Sequence, residues 1–428
     1  MNPTGAVIVR CEGCDRDFPD TTAAVRCPCG GLLTVVHDPA ARGGELRAMF
    51  DEACCARPSR TASGVWRFGP IVHPSAMDDA VSHPEGHTPV MQRDRLSAWT
   101  GIDGFHVKHE GYNPTGSFKD RGMTVAMTQA RRTGATAVAC ASTGNTSASL
   151  AAYASQAGLD PLVFVPEGQV AVGKLAQSLA YGARTLMVRG DFDACLSLVQ
   201  DAGEALGIYL VNSINPFRLE GQKTIVLELL RQWNWAPPEW IVLPAGNLGN
   251  TAAFGKALEE AHAWGLIARI PRLAAIQAAG AAPFAAAFAR GFDHLVPVHA
   301  ETLATAIRIG APASYHRAVR AIRATNGVVM ALDDATILAA KAEVDAAGIG
   351  AEPASAASVA GARALRASGL IATRDRVVAI LTGHLLKDPG IIERMHGTPP
   401  LVPHPNRPVT IEPTLEALRT VLASRAAP

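Results

Sequence analysis

The chain has 428 residues, a formal net charge of +1 and 48% apolar residues, so it has the material for two or more cores and none of the composition of a disordered chain. The balance of 39 basic against 38 acidic residues argues against a nucleic-acid or charged-membrane partner. The longest apolar stretch, Leu273 to Ala289, is interrupted by Gln277, Gly280 and Pro283 and is poor material for a membrane span.

The opening residues, MNPTGAVIVRCEGC, carry no long hydrophobic region and no small-residue cleavage site, which leads us to expect an unprocessed, cytoplasmic protein. Residues 1–40 read as a small appended module. Cys11 and Cys14 in CEGC, with Cys27 and Cys29 in CPCGG, are two thiol pairs of the kind that clamp a structural zinc and so fold a segment with little core. The second pair is one residue tighter than the usual zinc-ribbon knuckle, so a degenerate knuckle with reduced thiols is the competing reading. The remaining four cysteines, Cys54, Cys55, Cys140 and Cys195, read as small buried hydrophobes.

A linker or arm is expected next, through ARPSRTASGVWRFGP. From about residue 104 short β-branched runs alternate with helix-length amphipathic segments. The runs FHVKH, AVACAS, LVFVP, TLMVR, IYLVN, WIVLPAG, LAAIQA and VVAILTG predict strands. Such alternation predicts an α/β fold with a largely parallel sheet flanked by helices, where function collects at the carboxyl ends of strands.

Polar, glycine-bearing loops fall at several of those ends: ASTGNTSAS, NSINPFRLEGQKT, AGNLGN and TGHLLKDP. Each alone is an ordinary strand-to-helix turn. GNLGN, residues 246 to 250, also suits a phosphate cup, because exposed amides at a helix N-terminus favour a dianion. It is not the dinucleotide fingerprint, since the third glycine is missing, and no phosphate loop of the GKS or GKT type is present.

The stretch GYNPTGSFKDRGM places Lys119 where a turn-rich loop gives way to a helix, a poor position for a cation. A lysine that forms a Schiff base with an aldehyde cofactor need not be a cation at all. Pyridoxal phosphate requires such a lysine, a cup for its phosphate, a donor for its ring hydroxyl and a partner for its ring nitrogen. Lys119, Gly246 to Asn250, Asn145 and Thr382 are the candidates. A neutral hydroxyl at the ring nitrogen makes a weaker electron sink than a carboxylate does, which favours elimination and replacement over transamination. Arg218 has the geometry for a phosphate, although by itself it would read as a solvated arginine or an ion pair with Glu220.

NPTGSFKDRGM, STGNTSAS, NSINPFRLEGQKT, GNLGN, ATAIRIGAPAS, EPASAASVAG and LTGHLLKDP, in this order, resemble successive motifs of the threonine synthase family. SGVWRF and EGHTPV upstream also fit. The resemblance implies a fold type II pyridoxal-phosphate enzyme, with two open, mostly parallel twisted sheets flanked by helices. Residues 41–428 would be the catalytic domain, with a smaller nested subdomain at about 118–212 and the cysteine module in front. The implied reaction converts O-phospho-L-homoserine and water to L-threonine and phosphate by γ-elimination and β-addition of water.

Carried over, the catalytic residues are Lys119, the Schiff-base lysine and acid/base, and Thr146. Asn145 would contact the ring hydroxyl, Gly246, Asn247, Leu248, Gly249 and Asn250 the cofactor phosphate, and Thr382 the ring nitrogen. Ser142, Thr143 and Thr146 would hold the substrate carboxylate, and Asn212, Ser213 and Arg218 its phosphate. The small-molecule substrate and a homodimer are the expected partners. Ala311 departs from the family, which commonly has asparagine there, and Leu248 fills a cup position usually taken by a small residue. The competing readings are a cysteate-synthase-like β-replacement enzyme or a threonine dehydratase on the same scaffold, and a non-catalytic zinc-ribbon adaptor.

Overall fold

A computed structural model describes residues 6–55, 62–142, 144–168, 172–190 and 192–424. The first three strands, β1 (Ala6–Cys11), β2 (Asp17–Phe18) and β3 (Leu33–Asp38), form a small antiparallel sheet in the order β2-β1-β3. The strands that follow are β4 (Val90–Met91), β5 (Gly104–His109), β6 (Ala137–Ala141), β7 (Asp160–Pro166), β8 (Arg184–Val188), β9 (Tyr209–Leu210), β10 (Trp240–Pro244), β11 (Arg272–Ala278), β12 (Val328–Leu332) and β13 (Arg376–Leu381).

Six of these make a sheet in the order β12-β11-β10-β13-β5-β4, parallel except for the edge pair β4 and β5. The other four make a parallel sheet in the order β8-β7-β6-β9. The central strands of the six-stranded sheet are continuous apolar runs because helices cover both faces: every residue of β10 is buried, as is β13 after Arg376. The fold is therefore the expected α/β arrangement of two mostly parallel sheets.

One helix crossing positions the site. The helix Lys119–Arg132 packs on the helix Pro216–Gln232 through paired glycines. A Cβ on Gly221 would stand 1.8 Å from the Arg121 carbonyl oxygen, and one on Gly122 would stand 2.8 Å from that of Arg218. No other residue type allows such an approach, and it brings the first turns of the two helices together. Between them and the sheet lies a buried ion cluster. Arg121 donates from Nε to Glu110 at 2.6 Å and from Nη2 to Glu228 at 2.8 Å, and Lys108 donates to Glu228 at 2.9 Å.

The expected linker is not one. Gly43–Cys55 is a helix, and Trp66, Phe68 and Ile71 are fully buried in a short 3-10 segment, with Trp66 Nε1 donating to Thr124 Oγ1 at 2.7 Å. Arginine-rich composition concealed these apolar anchors; residues 56–61 lie outside the described residues. The IYLVN strand is also shorter than expected. After Leu210 the side chain of Asn212 takes over the pairing, its Oδ1 accepting from the Ala141 N–H at 3.4 Å. The strand β12 was not among those predicted; it lies at the sheet edge and is largely half-exposed.

Residues 389–424 form a separate compact unit with helices Pro389–His396 and Leu415–Ser424. Among the described residues no helix is long and apolar enough to cross a membrane.

Candidate active site

The strands β5, β13 and β10 are parallel neighbours, so the chain leaves the sheet at one edge after His109, Leu381 and Pro244. The loop after β5 turns at Gly116, where φ is +84°, a value that favours glycine. Asp120 then accepts hydrogen bonds from the Thr115 N–H at 2.7 Å and the Thr115 hydroxyl at 2.6 Å, which folds the loop onto the first helical turn. Next to it runs the loop after β13: Phe118 donates its N–H to the Thr382 carbonyl at 3.0 Å, and His384 donates to the Gly116 carbonyl at 2.9 Å. Lys119, the first residue of its helix, therefore stands beside Thr382.

The Lys119 amine is pushed down to about 7 by burial first, and then by the Arg218 guanidinium, against the opposing pull of Glu352 and Cys140. Much of it is uncharged near neutral pH. The conflict between a cation and the helix N-terminus, raised by the sequence, is thereby relieved, and the free electron pair is that of a nucleophile.

Arg218 is fully buried, and it does not pair with Glu220. That carboxylate is held instead by His37 at 2.6 Å, by Lys223 at 2.6 Å and by Lys256. One Arg218 nitrogen, Nη1, donates to the Val211 carbonyl at 2.8 Å, whereas Nε and Nη2 have no partner. Burying an unsatisfied guanidinium is costly, and here the burial alone brings its proton affinity down to about 10. Two orphaned donors on a cation facing the Lys119 amine make an anion site.

The cup follows β10. Leu248 is left-handed at φ +64° and precedes the helix Gly249–Ala263, whose N-terminus no side chain caps. Its side chain is buried in the main core, which offsets a strain of roughly 1 kcal/mol or more. Asn247 ties the cup to a second loop, its Oδ1 accepting from the Ala313 N–H at 2.6 Å and its carbonyl from the Ser314 N–H at 3.4 Å. A Cβ on Gly246 would stand 2.9 Å from the Ile307 Cα, so only glycine lets these loops meet. Ala311 is exposed on that second loop. In the cup itself, Asn250 Oδ1 and Thr251 Oγ1 are buried without a partner.

Asn145 begins the helix Asn145–Ala157, and its Nδ2 donates to both carboxylate oxygens of Glu352, at 3.2 and 3.1 Å. Thr382 lies on the other side of the same carboxylate, its Oγ1 at 3.4 Å from Glu352 Oε1 and 3.1 Å from Ser355 Oγ. The amide and the hydroxyl thus meet at Glu352, and the uncapped cup follows β10, the strand next to the one that carries Thr382 at its end. The donor set fits a phosphate-bearing aldehyde, and the orphaned Thr251 hydroxyl in the cup is a donor that such a ligand would satisfy.

Of the residues expected at the substrate, Ser142 is half-buried and accepts from the Gly144 N–H at 3.4 Å. Thr143 lies outside the described residues. Thr146 and Ser213 are half-buried. Asn212 is engaged with both backbone groups of Ala141, at 3.4 and 3.5 Å. The preceding strand carries Cys140, whose buried thiol interacts with Arg218 and Lys119, so the end of β6 faces the same centre.

In the N-terminal sheet the four sulfurs of Cys11, Cys14, Cys27 and Cys29 lie within 4.8 Å of one another. The pairs Cys11–Cys29 and Cys14–Cys27 are 3.5 and 3.6 Å apart. That is the spread of corners expected around a tetrahedral ion with metal–sulfur bonds of about 2.3 Å. Gly31 leaves room for it, since a Cβ there would stand 2.6 Å from the Cys11 sulfur. The tight second pair is therefore no obstacle to the geometry.

Sequence reasoning gave no role to Glu352, Ser355 or Cys140. The available signal was a lone carboxylate before Pro353 in a run of small residues, EPASAASVAG, where proline marks the start of the helix Pro353–Ala367.

A family model described as pyridoxal-phosphate dependent enzyme matches residues 81–383. The chain is 41% identical to a threonine synthase of Methanocaldococcus jannaschii over 97% of this chain and 99% of that one. It is 50% identical to a threonine synthase of Mycobacterium leprae over 71% of this chain and 83% of that one. Among solved structures, threonine synthase from Escherichia coli superposes with a TM-score of 0.70 at 19% identity, covering 98% of this chain and 100% of that one. Threonine deaminase isoform 2 from Solanum lycopersicum gives 0.61 at 20% identity, over 82% and 93%. At such identities these two structures speak for the fold alone.

Proposed function

We propose roles for the residues of a chain that belongs to the pyridoxal-phosphate-dependent enzymes and, among them, to the threonine synthases. It converts O-phospho-L-homoserine and water to L-threonine and phosphate. When bound, pyridoxal phosphate supplies the electron sink for charge that develops at the substrate's α carbon. Lys119 would hold the cofactor aldehyde, and its amine would move protons at the α carbon and beyond. The amides of Gly246, Asn247, Leu248, Gly249 and Asn250 hold the cofactor phosphate. Asn145 meets the ring hydroxyl and Thr382 the ring nitrogen.

The open N-terminus of the helix Asn145–Ala157, with Ser142, Thr143 and Thr146, receives the substrate carboxylate. Arg218, helped by Asn212 and Ser213, binds the substrate phosphate and stabilises it as it leaves. The observation that carries this reading is the pairing of a buried Lys119 amine, brought down to about 7, with a buried Arg218 that has two donors without a partner. The direct test is incubation of holoenzyme with phosphohomoserine, with and without sulfite. Threonine and phosphate are expected in both; a four-carbon amino-acid sulfonate in place of threonine when sulfite is present would favour the replacement reading.

We also propose that Cys11, Cys14, Cys27 and Cys29 bind one structural zinc, on the strength of their clustered sulfurs. A module over residues 1–40 and a nested subdomain at about 118–212 are supported by the separate sheets β2-β1-β3 and β8-β7-β6-β9. A cytoplasmic homodimer rests on the family resemblance and is tested by sedimentation.

A further inference from the structure

The carboxylate of Glu352 has no role in the assignments above, yet it is only 4% exposed and joins two of the residues they use. Asn145 Nδ2 donates to it at 3.1 and 3.2 Å, and Thr382 Oγ1 lies 3.4 Å from Oε1. Its backbone is equally constrained, since Glu352 donates its N–H to the Gly383 carbonyl at 3.1 Å. Space for the carboxylate exists because residue 383 is glycine: a Cβ there would stand 2.5 Å from Glu352 Oε1. A buried carboxylate is expensive to keep, and general packing does not explain one sited between these two side chains.

We propose that Glu352 is a positioning residue that orients Asn145 and Thr382 together, so that the amide would meet the ring hydroxyl of the cofactor and the hydroxyl its ring nitrogen. This rests on the assignment of pyridoxal phosphate to the site. The chemistry agrees with it, because the ring hydroxyl and ring nitrogen flank a single carbon, so one carboxylate can serve the partners of both.

A consequence follows for Thr382. Its hydroxyl has one proton, and Ser355 Oγ at 3.1 Å already shares the group. When that proton is turned towards Glu352, Thr382 meets the ring nitrogen as an acceptor, and the ring nitrogen is favoured in its protonated form. A hydroxyl alone would leave the ring the weaker sink expected from the sequence; a hydroxyl backed by a carboxylate strengthens it.

The groups that share the Lys119 neighbourhood are Arg218, Glu352 and Cys140, and those around Glu352 are Asn145, Lys387, Asp388 and Lys119. Among the groups around Lys119, Glu352 is the carboxylate. Its removal therefore lowers the proton affinity of the nitrogen at position 119 when that nitrogen carries the cofactor.

The test uses holoenzyme and three variants, Glu352→Gln, Glu352→Ala and Gly383→Ala, with the visible cofactor band followed as a function of pH and cofactor retention measured by dialysis and reconstitution. Glu352→Gln keeps the shape and loses the charge; the midpoint at which the visible band is lost is expected to move to lower pH. Glu352→Ala is expected to weaken cofactor retention by about tenfold or more, from loss of hydrogen bonds to a charged group. Gly383→Ala, which keeps the carboxylate but displaces it, is expected to reproduce both changes in part. An unmoved midpoint in Glu352→Gln, with retention unchanged in Glu352→Ala, overturns the role of Glu352. If wild-type protein takes up pyridoxal phosphate without any visible band, the assignment of the cofactor fails instead, and the two failures are distinct. Melting curves of the three variants separate loss of fold from loss of positioning.

Discussion

The guanidinium of Arg218 faces the amine of Lys119 across two helices that touch backbone to backbone at Gly122 and Gly221. Burial first, and that guanidinium second, bring the amine down to about 7, and the same guanidinium has two donors without a partner.

Lys119 is expected to be the residue that borohydride fixes to the cofactor, identified by mass spectrometry of the labelled peptide. Lys119→Ala should lose turnover by several orders of magnitude, as when a covalent catalyst is removed. A label on Lys174, Lys223 or Lys256 contradicts the assignment. Two of those are already engaged, since Lys223 and Lys256 both pair with Glu220.

Arg218→Met separates binding from stability. It removes a buried, half-satisfied charge for a side chain of similar size, a change that is often neutral or stabilising by about 1–4 kcal/mol. The expected outcome is a melting temperature no lower than wild type, together with a large rise in KM for phosphohomoserine. Unchanged kinetics would place the substrate phosphate elsewhere.

Arg121→Met should behave in the opposite way. It leaves Glu110 and Glu228 buried with only Lys108 to compensate, and loss of one partner from such a cluster costs about 3–5 kcal/mol. Denaturant unfolding measures this, and because Arg121 is on the first turns of the Lys119 helix, cofactor retention should fall with it.

Glu85 gives a pH signature. Burial pushes its carboxyl up to about 7, against hydrogen bonds from Ser63, Tyr153 and Ser82. The folded state holds this proton more tightly than the unfolded state, so its contribution to stability is present below about pH 4.5 and is lost as pH rises through about 7. The loss is on the order of 3 kcal/mol. Glu85→Gln should flatten that slope relative to wild type in unfolding curves taken between pH 5 and 8; parallel slopes would refute the assignment.

Zinc analysis is expected to give one ion per chain, lost in Cys11→Ser. The module sheet should then loosen, although Arg317 still holds Glu12 at 2.6 Å and His37 still holds Glu220 at 2.6 Å. Protection of β1–β3 amides in hydrogen exchange, with and without chelator, reports it.

Much of this site was legible because its residues sit in loops at strand ends, where glycine and asparagine betray sharp turns. Lys119, Thr382 and the cup at 246–250 could be named from local patterns that an α/β architecture then brings to one sheet edge. Glu352 could not, since its importance comes from Asn145 and Thr382, which are remote from it in sequence. The segment after Gly43 was missed for another reason: its composition, rich in arginine, glycine and proline, suggested a linker, whereas Trp66 and Phe68 are anchored by partners that local composition does not reveal. Arg218 was ambiguous until its burial, and the prior commitment of Glu220, were known.

The place of β13 in the large sheet has a consequence for synthesis. This strand, drawn from late in the chain, lies between β10 and β5 and carries Thr382 at its end. A ribosome-bound chain halted before residue 376 has the lysine and the cup, but the two are held apart by a gap in the middle of the sheet. Capture of the cofactor is therefore expected only after this strand has been made, and products terminated before it are expected to stay colourless.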